Sequence, residues 1–187
     1  KIVSTLLLSI ALCLSFVGCS GNNNSGNDSS DSGNQGNNHV EIVNKDLTFD
    51  FETKTVTFNN GIKMPILGIG TYTLSNSQAE NSVYWALRDG YRLIDTARIY
   101  GNEEGVGRGI RRAISEGLVT REEVFVTTKM WTADFNNGDA AINASLQRLG
   151  LDYIDLMILH HSQPSNDVNA YKAMERAVQS GKLRSIG

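Results

Sequence analysis

The sequence predicts an α/β fold in which parallel strands alternate with helices. Apolar runs of strand length alternate with segments whose apolar residues recur at helical spacing. A glycine ends each helical segment, and the unit of strand, loop, helix and glycine repeats at roughly 30 residues, the size of a βαβ unit. Strands separated by helices pair in parallel through right-handed crossovers. These observations leave two architectures open, a doubly wound sheet and a β/α barrel.

The composition is that of a globular protein with one folded domain. The 187 residues are 40% hydrophobic and 20% charged, and the formal net charge is −3. The sequence has no basic patch with interleaved aromatic residues, so we expect no nucleic-acid partner. Both cysteines, Cys13 and Cys19, lie near the start of the chain. The folded part therefore has neither a disulfide framework nor a zinc-binding spacing, and we expect no metal.

The first segment, residues 1–19, has the pattern of a secretory signal. An apolar stretch at residues 5–17 follows Lys1, and it is too short to span a membrane comfortably. Residues 16–19 resemble a bacterial lipoprotein box, in which cleavage leaves the cysteine as a lipidated N-terminus. The alternative is a buried helix with a chance cysteine. We expect a lipid on Cys19 to anchor the protein in the bacterial cell envelope. If the signal is not used, we expect the protein to be cytoplasmic.

Residues 20–39 form a predicted linker that is rich in Gly, Asn, Ser and Asp. Such a segment cannot bury enough apolar area to offset a backbone entropy of roughly 1–2 kcal/mol per ordered residue. We therefore expect a disordered tether between the lipid anchor and a folded domain at residues 40–187.

The folded domain begins with a predicted β-hairpin that covers one end of it. Residues 47–51 and 55–58 alternate apolar with polar side chains, and Asn60-Gly61 is a further turn signal. The first strand of the repeating units follows at residues 66–71.

Four helices and four further strands are predicted after that strand. The first helix, residues 77–89, begins with Ser77 and Glu80 at the spacing of a capping box. The other predicted helices are residues 103–116, 139–149 and 167–180, and the other strands are residues 91–96, 124–129, 153–160 and 183–187.

Two glycine-rich runs do not fit a phosphate-binding loop. Gly68-x-Gly70 is followed by Thr73, where the dinucleotide fingerprint requires a third glycine. The run at residues 105–109 falls inside a predicted helix, where each glycine weakens the helix by about 1 kcal/mol relative to alanine. We interpret the second run as a weak stretch of helix.

Reactive side chains follow several predicted strands. Asp95 and Tyr100 follow the second strand, and Lys129 and His160 end the third and fourth strands. In a β/α barrel the carboxyl ends of the strands converge on one mouth, where catalytic groups are found. Each residue alone has a structural explanation, such as a turn-capping acid or a solvated lysine. Their joint arrival at one mouth favours a functional site.

These four side chains can transfer a proton to an oxygen. A free tyrosine has a pKa near 10 and is a poor proton donor, but a nearby ammonium favours the phenolate. Asp95 can hold the Lys129 ammonium by a charge-assisted hydrogen bond, so that Tyr100 acts as a general acid. His160 can donate a second hydrogen bond to a carbonyl oxygen. The set lacks an electron source, which a nicotinamide cofactor would supply.

The chain resembles the aldo-keto reductase family from about Thr55 to Gly187. The matching motifs are residues 60–71, 90–97, 100–103, 126–131, 145–156, 173–175 and 181–187. The resemblance implies a (β/α)8 TIM barrel and NADPH-dependent reduction of small aldehydes or ketones. It implies a catalytic tetrad of Asp95, Tyr100, Lys129 and His160. The implied cofactor contacts are Gly70, Thr71, Tyr72 and Asp95, and the implied substrate contacts are His160, Trp131 and Tyr100.

The chain departs from the family pattern in two ways. The family commonly has Trp-Pro after the tetrad histidine, whereas this chain has His161-Ser162. A barrel has eight units, and this chain supplies about four and the start of a fifth strand, so we expect a truncated barrel with weak cofactor affinity. Reduced nicotinamide is not expected in the envelope. The alternative function is therefore a membrane-tethered, catalytically idle barrel fragment or binding module.

Overall fold

The computed structural model of the protein describes residues 47–187. The predicted signal segment at residues 1–19, the lipidation site at Cys19 and the linker at residues 20–39 lie outside these residues. Among the described residues, no helix has both the length and the apolar character that crossing a membrane requires.

The described residues form a small antiparallel sheet and a larger parallel sheet. The antiparallel sheet has three strands in the order β1-β2-β3, and the parallel sheet has five strands in the order β4-β5-β6-β7-β8. The strands are β1 Thr48–Asp50, β2 Thr55–Thr57, β3 Lys63–Pro65, β4 Gly68–Gly70, β5 Leu93–Asp95, β6 Phe125–Met130, β7 Ile154–Leu159 and β8 Leu183–Ile186. The helices are α1 Asn76–Arg88, α2 Glu103–Ser115, α3 Gly138–Leu149 and α4 Asp167–Gln179.

The order of the parallel strands decides between the two predicted architectures. Each strand from β4 to β7 pairs with the strand that follows it in the chain, and a helix lies between them in the sequence. A doubly wound sheet reverses its strand order at a switch point, and this sheet does not. The α/β fold of barrel type is therefore confirmed over these residues.

The hydrophobic core fills the space between the sheet and its helices. On α2, Val106, Ile110 and Ala113 recur at helical spacing and are fully buried. They belong to one cluster with Ile94 of β5 and Val126 of β6. The apolar stripe that predicted the helix is thus the face that packs on the sheet.

The first helix begins with a capping box that differs from the predicted one. Ser75 has an extended backbone, and its hydroxyl accepts a hydrogen bond from the Gln78 amide at 3.3 Å. The Gln78 side chain accepts one from the Ser75 amide at 2.9 Å. The prediction of Ser77 and Glu80 was wrong because α1 starts at Asn76, so Ser77 already has helical neighbours on both sides.

The glycines of α2 allow close contact between helices. The run lies inside α2, as predicted, and Gly105, Gly107 and Gly109 are all buried there. A β-carbon on Gly105 would collide with the Asn76 carbonyl of α1, and one on Gly107 would collide with the Leu149 carbonyl of α3. The glycines therefore serve helix packing, which offsets their low helix propensity.

The antiparallel sheet covers the amino ends of the parallel strands. The Phe58 ring packs edge-on against Phe125, the first residue of β6, with a centroid distance of 6.2 Å. The Asn60 amide donates hydrogen bonds to the Arg184 carbonyl at 3.1 Å and to the Ser185 hydroxyl at 3.0 Å. The expectation that this element covers one end of the domain is confirmed, although the third strand was not predicted.

A buried carboxylate holds the amino ends of three strands together. Asp155 is completely buried in β7 and accepts hydrogen bonds from Arg121 at 2.9 Å and Arg184 at 2.7 Å. Its carboxylate also accepts a hydrogen bond from the Val126 amide at 3.0 Å. A buried carboxylate is tolerated when several donors bind it, whereas removal of those donors would leave an unpaired buried charge and lower the free energy of unfolding.

Gly107→Ala should lower the free energy of unfolding by about 1–3 kcal/mol, the usual cost of overpacking. The added methyl group would force α2 away from the Leu149 carbonyl. Urea unfolding followed by circular dichroism measures the change. Ser115→Ala, at an exposed position of the same helix, is the matched control and should change stability little. Equal unfolding midpoints for the two variants would contradict the packing role of Gly107.

Candidate active site

Asp95, Lys129 and Tyr100 come together at the carboxyl ends of the parallel strands. The Lys129 ammonium donates hydrogen bonds to the Asp95 carboxylate at 2.7 Å and to the Tyr100 hydroxyl at 3.4 Å. The Lys129 side chain is 14% exposed and that of Asp95 is 30% exposed. Because the ion pair is largely shielded, salt screens it less than a surface pair.

A third acceptor completes the coordination of the ammonium. The Thr96 carbonyl accepts a hydrogen bond from Lys129 at 2.8 Å. An ammonium has three hydrogens, and here each has an acceptor from a different residue. The Thr96 contact was not predicted, because a backbone carbonyl has no residue-type signature. The lysine is therefore fixed in one position relative to the phenol.

A short turn brings the phenol back to the lysine. Residues Arg98–Tyr100 form one 3₁₀ turn, and Gly101 ends it in the left-handed region at φ 69°. A residue with a side chain adopts that conformation only with strain, so glycine suits the position. The Lys129 ammonium lies 5.0 Å from the centroid of the Tyr100 ring.

His160 lies at the same mouth, directly after β7. Its amide donates a hydrogen bond to the Met130 carbonyl at 3.0 Å, and its ring lies 5.8 Å from the Tyr100 ring at 84°. Burial lowers the pKa of His160 below 6.5, and the charges of Lys129 and His161 lower it further, while Asp95 opposes the shift. His160 is therefore neutral at neutral pH and carries one N–H donor.

The environment of the ring favours one tautomer. His160 Nδ1 is buried and has no hydrogen-bond partner within residues 47–187. A hydrogen on Nδ1 would be a buried donor without an acceptor, which is costly. We therefore assign the hydrogen to Nε2, which makes Nε2–H the donor available to a ligand.

Aromatic rings line the mouth around these groups. Tyr72 is 67% exposed, and its ring lies 5.0 Å from that of Tyr100. Trp131 packs edge-on against His160 at 5.3 Å and against His161 at 5.4 Å. His161, which stands where the family commonly has tryptophan, thus takes part in the same wall of rings.

Gly70, the last residue of β4, and the two residues after it differ in their exposure to a ligand. Gly70 pairs with Asp95 across the sheet, and Tyr72 presents its ring at the mouth. Thr71 is fully buried, and both its amide and its hydroxyl donate to the Asp95 carbonyl, at 3.0 Å and 3.2 Å. The Thr71 side chain therefore supports Asp95 from within the protein.

A buried acid that was not predicted from the sequence lies beside the site. Glu103 is 1% exposed and accepts hydrogen bonds from Thr128 at 2.7 Å and from Arg148 at 2.6 Å. Thr128 precedes Lys129, so Glu103 joins the start of α2 to the strand that carries the lysine. The Asn-Glu pair after Tyr100 predicted only a helix start. Within residues 47–187, no three His, Cys, Asp or Glu side chains form a group that could hold a metal ion.

Comparisons with known proteins match the residues that form this site. The sequence model of the Aldo/keto reductase family matches residues 66–187. The NAD(P)H-dependent D-xylose reductase I,II of Candida tropicalis is 38% identical, over 71% of this chain and 50% of that protein. The glyoxal reductase of Bacillus subtilis is 43% identical, over 71% of this chain and 48% of that protein.

Solved structures give the same result. A Bombyx mori aldo-keto reductase in complex with NADP is 41% identical with a TM-score of 0.65, over 71% of this chain and 49% of that chain. An aldo/keto reductase from Brucella melitensis is 39% identical with a TM-score of 0.66, over 71% and 52% of the two chains. The chain spans about half the length of the relatives that it matches.

The lowered pKa of His160 should make stability depend on pH with a defined sign. In the unfolded chain His160 titrates near 6.5, and in the folded chain it titrates lower. Between these values the unfolded state binds more protons, so the free energy of unfolding should decrease as the pH falls through this window. Urea unfolding at about pH 7.5 and about pH 5.5 brackets the ordinary histidine range. His160→Gln should reduce the decrease, whereas His161→Gln should retain most of it. An unchanged decrease in His160→Gln would contradict this account.

Proposed function

Because the chain belongs to the aldo/keto reductase family, we propose that the protein reduces aldehyde or ketone carbonyls to alcohols with NADPH as its cofactor. The observation that carries the proposal is the contact of one ammonium, Lys129, with both the Asp95 carboxylate and the Tyr100 hydroxyl. Relatives include a NAD(P)H-dependent xylose reductase and a glyoxal reductase, which supports a carbonyl substrate.

Tyr100 is the proposed proton donor. Its hydroxyl gives a proton to the carbonyl oxygen of the substrate and becomes a phenolate. The Lys129 ammonium at 3.4 Å stabilises that negative charge, because an opposite charge nearby favours the ionised form. Asp95 at 2.7 Å keeps the ammonium in place by a charge-assisted hydrogen bond.

His160 is the proposed second donor to the carbonyl oxygen. Its ring stands perpendicular to Tyr100 at 5.8 Å, so an oxygen between them can meet both donors. The lowered pKa keeps His160 neutral. A neutral imidazole polarises the carbonyl without competing with Tyr100 as the proton source.

The residues at the mouth fit a nicotinamide cofactor by their chemistry. They supply a proton and hydrogen bonds but no reducing electrons, and NADPH when bound supplies a hydride. Asp95 uses Oδ1 on Lys129, and its side chain remains 30% exposed, so Oδ2 can accept a hydrogen bond from a cofactor hydroxyl. We propose that Gly70, Tyr72 and Asp95 hold the cofactor, with the exposed Tyr72 ring as an apolar contact. Thr71, expected as a cofactor contact, is fully buried and contributes by supporting Asp95.

The proposed substrate contacts are Tyr100, Trp131 and His160. The perpendicular packing of Trp131 on His160 at 5.3 Å places an aromatic wall beside the two hydrogen-bond donors, Tyr100 and His160. Such a wall binds apolar parts of a small carbonyl compound while the donors orient its oxygen.

The cellular location is proposed from the sequence alone. A lipid on Cys19 would tether the barrel to the bacterial envelope through the linker at residues 20–39. We propose that these residues connect the catalytic domain to the membrane.

Tyr100→Phe in the full-length protein should lower kcat by about 10²–10⁴-fold, the contribution of a general acid. The ring remains, so the dissociation constant of NADPH should change little. The decrease in NADPH absorbance with a panel of aldehydes measures kcat, and fluorescence titration with NADPH measures the dissociation constant. Tyr171→Phe, at an exposed tyrosine, is the matched control. Turnover retained by Tyr100→Phe would exclude it as proton donor. A wild-type protein without turnover would favour the idle barrel.

Cys19→Ala should release the protein from the membrane fraction if Cys19 carries the lipid. Cell fractionation followed by immunodetection measures the distribution, and Cys13→Ala is the matched control, because it changes the other cysteine of the same segment. Membrane sedimentation of Cys19→Ala equal to that of the wild type would refute the anchor.

A further inference from the structure

Asn102 is a helix-capping residue that does not cap its helix. It occupies the N-cap position of α2, yet its side chain makes no capping hydrogen bond. Asparagine is favoured at this position because its side chain can accept from the first-turn amides. Here the side chain is 1% exposed and is directed into the protein instead. The residue type is therefore retained for another set of contacts.

Those contacts use both donors of the amide and its acceptor. The Asn102 nitrogen donates to the Thr71 carbonyl at 2.7 Å and to the Leu74 carbonyl at 2.9 Å. Its oxygen accepts from the Thr96 hydroxyl at 3.1 Å. The Thr71 hydroxyl lies 3.4 Å from the same oxygen, but its one hydrogen also faces the Asp95 carbonyl at 3.2 Å. No isosteric side chain reproduces this set.

The partners of Asn102 are the residues that hold Asp95 and Lys129. Thr96 follows Asp95 in the chain, and its carbonyl accepts from the Lys129 ammonium at 2.8 Å. Thr71 donates to the Asp95 carbonyl through its amide at 3.0 Å and its hydroxyl at 3.2 Å. One buried side chain therefore contacts both Thr96, which follows Asp95, and Thr71, which binds the Asp95 carbonyl.

A second asparagine supplies the cap that Asn102 does not give. Asn76, the first residue of α1, accepts a hydrogen bond from the Gly105 amide of α2 at 2.7 Å. Its amide also donates to the Gly101 carbonyl at 3.2 Å. The Gly105 amide in the first turn of α2 is thus satisfied from the neighbouring helix. Because Asn76 provides this cap, the Asn102 side chain is available for contacts at the site.

We propose that Asn102 is a positioning residue that holds Asp95, Lys129 and Tyr100 in register. The inference rests on the proposed reductase function for its kinetic consequence, but its geometric content is independent of that function. Asn102 lies two residues after Tyr100 and is bonded to the loops after β4 and β5. Loss of the amide frees both loops, and the Thr96 carbonyl then no longer directs the ammonium toward the phenol.

A purely structural role for Asn102 predicts a different result. A structural residue lowers stability wherever it lies, whereas a positioning residue also loosens one defined group of atoms. Asp155→Asn is the matched control, because Asp155 is equally buried and hydrogen-bonded but lies at the amino ends of the strands. Its loss should lower stability without changing the environment of Lys129.

The first experiment measures the reactivity of Lys129 without any turnover. Pulse acetylation with acetic anhydride, followed by peptide mass spectrometry, is applied to the full-length wild type, Asn102→Ala and Asp155→Asn. Acetylation of Lys129, normalised to the exposed Lys172, should rise several-fold in Asn102→Ala and remain at the wild-type value in Asp155→Asn. Equal Lys129 reactivity in all three proteins would overturn the proposal.

The second experiment measures catalysis. Asn102→Ala should lower kcat for aldehyde reduction by roughly 10- to 100-fold, the size of effect that misplaced catalytic groups cause. KM and the dissociation constant of NADPH should change less than kcat. A loss confined to KM, or a loss of kcat matched by Asp155→Asn, would overturn the positioning role.

Thr96→Val tests the same contact more mildly if Asn102→Ala does not fold. It keeps the branched shape and the carbonyl but removes the hydroxyl that donates to Asn102. The loss of one hydrogen bond should lower kcat by roughly 3- to 10-fold and raise Lys129 acetylation in the same direction. If the wild type reduces no carbonyl, the proposed function fails, and the acetylation result alone decides whether Asn102 holds the site.

Discussion

The burial of one ammonium group governs the arrangement of the site. Lys129 is largely removed from water, and a charge in that position is tolerated only when its hydrogens have acceptors. The acceptors are a carboxylate at the end of β5, the carbonyl of the next residue and a phenol in the following turn. All three depend on the parallel register that places β5 beside β6. The sheet therefore orients the proton-transfer groups through the hydrogen bonds that the buried Lys129 ammonium requires.

Two buried carboxylates join neighbouring elements at opposite ends of the parallel sheet. Asp155 takes two arginines and a backbone amide at the amino ends, and Glu103 takes a threonine and an arginine near the carboxyl ends. Each acid is about 1% exposed or less and is paired, as buried acids must be. Both ends of the sheet thus use a buried, paired carboxylate. Of the two, only Glu103 contacts a residue adjacent to Lys129, namely Thr128.

The sequence predicted the parts of the structure that follow from local pattern. Asp95, Lys129 and His160 were found because each ends an apolar run, and parallel strand ends share one edge. The roles of Asn102 and Glu103 were missed, because Thr71 and Leu74, which accept from Asn102, and Thr128, which donates to Glu103, lie 25 or more residues away along the chain. The capping box of α1 was misplaced by two residues, since Ser75-Gln78 and Ser77-Glu80 have the same spacing. Only the position at which the extended backbone becomes helical, after Ser75, distinguishes them. The third strand of the antiparallel sheet was missed because three residues carry too little periodicity to be distinguished from a turn.

The cap that Asn76 provides for α2 also has a consequence for how the chain folds. The amide of Gly105 has its native acceptor on another helix, so the docking of α1 stabilises the first turn of α2. We therefore expect the two helices to open and close as one cooperative unit rather than to fray separately. The turn that carries Tyr100 is joined to this unit through the Gly101 carbonyl. Assembly of the proton-transfer groups is thereby linked to the docking of a helix pair, an event of longer range than the turn itself.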